Sequence, residues 1–178
     1  MVTGSNGTPM EVTPDKRGTV QALSELDNAL RKASCQVAAI YAPVTNVADT
    51  ADNEHLVIKN TDTMKKLVVD QIIINTTLAA QFFVKKGQLY ASGGTAAIVN
   101  SLNLGQSATP FIEAYYDDNL TMSGTAVTMF AKYAAAASTI TFDIPIMIPP
   151  GMALLITCVG AAGSEVIKYT VVTHTEQM

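Results

Sequence analysis

Two histidines, two cysteines and one pair of adjacent aspartates are the residues of this 178-residue chain best suited to chemistry. A metal site needs three or four nitrogen, sulfur or carboxylate ligands that converge. His55 and His174 are the only histidines and stand at opposite ends of the strand-rich region, with no second ligand at a useful spacing. Both read as surface or strand-edge residues. A Ser-His-Asp or Cys-His arrangement could be assembled from a serine, Cys35 or Cys158 with either histidine, but no spacing singles one out. No GxSxG, P-loop or HExxH pattern occurs. Asp117-Asp118 precedes Asn119 and reads as a solvated turn, where Asp hydrogen-bonds its own main chain. Gly93-Gly94 and Gly4-Ser5-Asn6-Gly7 are loops with no helix after them, so they make no phosphate cradle. Lys65-Lys66 and Lys85-Lys86 flank strands and read as charges guarding strand ends. Tyr115-Tyr116 places one ring on each face of a strand, one for the core and one for an interface. Cys35 and Cys158 could form one bridge, but a single separated pair in a chain of this size reads as two free thiols. No catalytic, cofactor-binding or metal-ligating residue is assigned, and the expectation is a protein that is not an enzyme and carries no cofactor.

Composition points instead to surfaces. Asp, Glu, Lys and Arg make up 15% of the chain, against about 25% in ordinary soluble domains. Apolar residues reach 48%, which excludes a disordered chain. Eleven basic against fifteen acidic side chains give a net charge of −4, a poor balance for gripping phosphate backbones. Residues 1–89 hold nine basic and nine acidic side chains. Residues 90–178 hold only Lys132 and Lys168 against Glu113, Asp117, Asp118, Asp143, Glu165 and Glu176. With 24 Ala and 21 Thr, the chain suits tight packing and strand faces, and a surface this poor in charge is expected to lie against another. The opening residues show no basic-then-apolar pattern of a signal peptide. The most apolar window, 140–159, is interrupted by Asp143, Pro145, Pro149, Pro150 and Gly151, which rules it out as a spanning helix. No membrane association is expected.

Three parts are expected along the chain. Residues 1–18, rich in Gly, Thr, Pro, Ser and Asn, read as an extended N-terminal arm. Residues 19–54 read as one short amphipathic helix and a loop. Val20, Leu23, Leu26, Leu30 and Ala33 recur at steps of three and four, with acidic Glu25 and Asp27 ahead of basic Arg31 and Lys32; 42–54 is the loop. Residues 55–178 read as a β-sandwich. Strands are expected at 55–59, 67–75, 81–85 (ending at Gly87), 96–104, 111–116, 125–133, 138–144, 152–159 and 165–174. Hairpins are expected across Ala134–Ala137 and across Gly160-Ala161-Ala162-Gly163. Pro149-Pro150-Gly151 suits a type II turn. Eight or nine strands at such spacing predict an all-β, antiparallel β-sandwich, jelly-roll-like, with an extended arm and one short helix.

The opening MVTGSNGTPMEVTPDKRG, the amphipathic segment and the strands in HLVIKNTD, LVVDQIIIN and ITFDIPIMIPPGMALLITCVG together resemble the small structural proteins of tailed-phage virions. Among these they are most similar to capsid decoration, or cement, proteins. The resemblance implies a sandwich seated on the shell, often as a homotrimer, with an arm threading across neighbours. It implies the major capsid protein or other virion proteins as partners, a place in the virion after assembly in the host cytoplasm, and no catalytic residue. A tail, neck or fibre-base component shares the same composition. A small jelly-roll coat protein would share the fold, but its arm commonly meets the genome; here Glu11 and Asp15 cancel Lys16 and Arg17, so no direct nucleic-acid contact is expected. A carbohydrate-binding sandwich would be expected to expose aromatics, yet the chain has no Trp.

Overall fold

The computed structural model describes residues 37–45, 52–102, 111–118, 120–160 and 166–177. The expected arm (1–18) and amphipathic helix (19–34) lie outside these residues. Among the described residues every regular element is a strand: β1 Val37–Thr45, β2 Asn53–Asn60, β3 Lys65–Thr76, β4 Ala80–Ser92, β5 Thr95–Ala96, β6 Ile98–Ser101, β7 Ile112–Tyr116, β8 Thr121–Ala134, β9 Ser138–Phe142, β10 Ile146–Ile148, β11 Ala153–Gly160 and β12 Val166–Gln177. They build two antiparallel sheets. The first runs β10-β3-β12-β1-β6, with β9 also paired to β3; the second runs β5-β7-β2-β11-β4-β8. Ile40, Ile72, Ile74 and Tyr169 from the first sheet meet Leu56, Ile58, Phe82 and Ile156 from the second in one core. This is the expected antiparallel β-sandwich.

The expected loop at 42–54 is partly a strand. Ile40, Ala42 and Val44 are buried on one face of β1, so the sandwich already includes Val37–Thr45, ahead of the expected start at 55. Pro43 made this stretch look like a loop, because proline removes a ladder donor. It is tolerated because β6 pairs only with Ala38–Tyr41, leaving Pro43 opposite β12 alone among the described residues. The strand expected to end at Gly87 continues to Ser92. Gly87 and Gly124 each have φ of 94° and sit at a break in the β4–β8 register. A Cβ on Gly87 would lie 2.6 Å from the Thr125 carbonyl oxygen, so the glycine marks a bulge and not a stop.

Neither expected hairpin forms. β8 pairs with β4, whereas β9 pairs with β3 in the other sheet. β11 lies between β2 and β4, whereas β12 lies between β1 and β3. Among the described residues no two consecutive strands pair with each other. The reason is burial: each strand has an apolar face to cover, and facing sheets stand only about 10 Å apart, a distance three or four residues can span. The expected strand at 96–104 also divides. β5 pairs with β7 in the second sheet and β6 with β1 in the first, so one stretch of chain closes this edge of the sandwich. On the opposite edge, where β8 faces β9 and β10, the two sheets share no strand among the described residues.

Two turns behave as their residues require. Asn60 donates through Nδ2 to the carbonyls of Lys65 and Ile148, both at 2.9 Å. Asp62 Oδ1 accepts from the amides of Met64 and Lys65. Gly151, at φ 73°, holds the third position of the turn in which the Met152 amide donates to Pro149 O at 3.1 Å, the type II arrangement.

Candidate functional site

Both histidines are fully buried, which corrects their expected place at the surface; His55 is itself the extra residue of a β-bulge, and His174 lies beside one. In the β2–β11 pairing, Ile156 opposes Leu56 and Thr157 opposes Glu54. His55 is the extra residue between them. Strict alternation would put His55 on the face of Val57 and Lys59; the bulge turns it inward. There Nδ1 lies 2.8 Å from the Tyr169 hydroxyl on β12, and Tyr169 meets Phe82 edge-on, with ring centroids 6.3 Å apart. The chain after β7 closes over the other nitrogen. The Asp117 amide donates to His55 O and the Leu120 amide to Glu54 O, which brings Asp118 Oδ1 to 3.6 Å from His55 Nε2. Asp118 is therefore turned toward the core, not the solvated turn residue expected.

Burial pushes the His55 pKa down to about 4, against smaller opposing pulls from Asp117 and Asp52. The imidazole is neutral at neutral pH. Assigning its proton to Nε2 lets Nδ1 accept from Tyr169 and points the N–H at Asp118. Burial also raises the Tyr169 hydroxyl well above its ordinary value and the Cys158 thiol to about 12. Cys158 is a free, buried and unreactive thiol; Cys35 lies outside the described residues. Asp52 is ion-paired with Lys85. The group is a Tyr-His-Asp array whose Tyr and His have no exposed surface, so it joins the two sheets and presents no ring to a substrate.

The second histidine lies on the outer face of the first sheet. In the β3–β12 pairing, Val172 opposes Gln71 and Thr173 opposes Val69, so Asp70 is the extra residue. Its carboxylate Oδ2 is 2.8 Å from His174 Nδ1. His174 Nε2 faces Glu176 Oε1 at 3.2 Å, and Glu176 Oε2 is 2.8 Å from Lys66 Nζ. Burial lowers the His174 pKa, but the bonds to Asp70 and Glu176 outweigh it and the net direction is upward. Hydrogen bonds from Lys66 and then His174 lower that of Glu176. With the imidazole protonated, the four side chains carry two positive and two negative charges. An NMR titration should find His174 titrating above 6.5, and Asp70→Asn should lower its pKa. A wild-type value at or below 6.5 would contradict this geometry.

The remaining sequence candidates do not converge. The two lysine doublets lie in different sheets, Lys65-Lys66 on β3 and Lys85-Lys86 on β4. Tyr116 packs on the main core. Tyr115 packs on a smaller cluster with Val57 and Leu155 and stacks on Tyr90 at 4.3 Å, so the two rings use opposite faces as expected. Gly94 has φ of 76° and fits a tight turn. Among the described residues no three His, Cys, Asp or Glu side chains form a metal-binding group, and no helix is long and apolar enough to cross a membrane.

Surface, by contrast, is abundant in apolar groups. Among the described residues ten large apolar side chains are more than 40% exposed: Met64, Leu89, Ile98, Leu102, Phe111, Val127, Tyr133, Ile144, Met147 and Met152. Eight of these fall in the half of the chain that carries only eight of its charges. No protein-family model matches the chain, and no curated protein or solved structure matches it.

Proposed function

We propose that the protein is a non-enzymatic structural component of a virion, most like a decoration protein that stabilises a phage capsid through subunit contacts and its N-terminal arm. The observation that carries this reading is β8. Among the described residues it is a fourteen-residue edge strand whose only charged side chain is Lys132, with Val127 and Tyr133 more than half exposed. A lone soluble protein normally protects such an edge with charge or proline. Here the protection is expected from neighbouring subunits. The bulges along β4–β8 interrupt the free ladder edge, so the neighbours meet it through side chains. Leu89, Ile98 and Phe111, each about half exposed, extend the contact surface beyond β8.

Strand order supports a jelly-roll reading. In chain order β1, β2, β3, β4, β8, the β9–β10 pair, β11 and β12 make eight units. One sheet orders them first, eighth, third, sixth, and the other second, seventh, fourth, fifth. That arrangement is common to viral capsid and lectin domains. Between these two, the lectin reading is weaker, because Tyr90 and Tyr115 cover one face of each other's ring. The functional test is addition of purified protein to phage shells stripped of it. Saturable binding at a fixed number of copies per shell is expected, and no binding to any capsid, neck or tail fraction would overturn the proposal.

A further inference from the structure

Lys85 does not guard a strand end: it is a buried lysine in the middle of the second sheet. Directly opposed residues share a face, so the pairings Lys85–Leu155–Val57 and Phe83–Thr157–Glu54 set these side chains in two neighbouring rows on the outer face of that sheet. The Lys85 side chain is only 10% exposed. It passes over the Phe83 ring, with Nζ 5.4 Å from the centroid, and so leans from the first row toward the second. There Nζ contacts Oδ2 of Asp52, the residue immediately before β2. The Asp52 charge is felt by His55 and Cys158 in the core. Thr157, in the second row, is fully buried, and its hydroxyl has no hydrogen-bond partner among the described residues.

We propose that Lys85 and Asp52 condense into an isopeptide bond, an amide that ties β4 to the entry of β2 across β11, the strand lying between them. An ammonium held away from water is costly even when paired, and the amide removes both charges. Contact between the two groups replaces a bimolecular encounter, for which effective molarities reach about 10⁵–10⁸ M. Glu54, half-buried in the second row, takes a proton from the ammonium. The neutral amine then attacks Asp52 Cγ. The Nζ–Cγ bond forms, the Cγ–Oδ2 bond breaks, and Oδ2 leaves as water with the two protons that Nζ has given up. Nothing is oxidised or reduced, and no co-reactant is needed. The Thr157 hydroxyl is the donor for the oxygen on which negative charge develops. Asp52 is 44% exposed, which gives the departing water a way out. The inference is independent of the virion reading, because the bond forms within one copy.

Intact mass spectrometry of the purified full chain should give a mass about 18 Da, one water, below that of its sequence. A tryptic digest should contain a branched peptide joining Asp52 to Lys85. Wild-type protein at the full mass of its sequence would overturn the proposal, whether or not it bound phage shells. Lys85→Arg keeps a cation beside Asp52 but has no amine to acylate, and should show its full mass. A water still missing from that variant would place the loss at another residue and overturn the proposal as well. In a time course of cell-free synthesis, Glu54→Gln should slow the loss of water by about 100-fold or more. An equal rate would overturn the part given to Glu54.

Discussion

Lowering the pH from 6.5 to 4 is expected to remove about 3 kcal/mol of folding stability from the wild-type protein that His55→Asn does not lose. The unfolded imidazole takes up its proton near 6.5, whereas the folded one, buried against Tyr169, resists until about 4. Between those values the unfolded state binds more protons, so stability falls as the pH falls; above 6.5 neither form is charged, and below 4 both are. The depression of about 2.5 units at 1.36 kcal/mol each sets the size. Other groups must be separated from this one. The raised pKa of His174 gives stability fully present below 6.5 and lost as the pH rises through its folded value, so it does not contribute to the acid loss. Glu176, held below its ordinary value, adds a loss only below about 4.5. The difference between wild type and His55→Asn, measured by urea unfolding at steps between pH 7 and 4, isolates His55. Parallel curves for the two proteins would show that His55 takes up its proton as freely folded as unfolded.

Truncating the other half of that array should cost still more. Tyr169 is completely buried, accepts Phe82 and His55 edge-on, and spans the gap between the sheets. Tyr169→Ala leaves a cavity bounded by both sheets and is expected to destabilise by about 3–5 kcal/mol. Tyr169→Phe keeps the packing but leaves His55 Nδ1 without a donor in a dry site, and should cost about 1–3 kcal/mol. Coupling tests the contact directly. In a double-mutant cycle with His55→Asn, Tyr169→Phe should cost measurably less than it does alone, because the group it orphans is already changed. Strict additivity would contradict the hydrogen bond.

The strands were readable wherever one face alternated. Ile140, Phe142 and Ile144, alternating with Thr139, Thr141 and Asp143, announce period two, and the turns at Asn60-Thr61-Asp62 and Pro149-Pro150-Gly151 announce their own geometry. Partners were not readable. Ala134–Ala137 is as short as a hairpin loop, yet it carries the chain from one sheet to the other, and only the competition of β4 for β8 and of β3 for β9 decides this. β1 was hidden by Pro43, which a strand accepts only where a neighbour is missing. The polar clusters were hidden by bulges. One extra residue at His55 and one at Asp70 reverse the faces that alternation assigns, so a histidine that reads as external becomes the link between sheets. The spacing of Lys66 and Asp70, and of His174 and Glu176, was a usable signal only once β3 and β12 were known to be adjacent.

The charge deficit of the C-terminal half acquires a location in the structure: the exposed apolar side chains of β6, β8 and the turns around them. The account rests on neighbours covering these groups. Sedimentation velocity of the purified full chain at micromolar concentration is the most direct measure. The account predicts a discrete oligomer, a trimer by the resemblance to decoration proteins, that dissociates when Tyr133 and Val127 are both changed to Asp. A monodisperse monomer, unchanged by those substitutions, would contradict it.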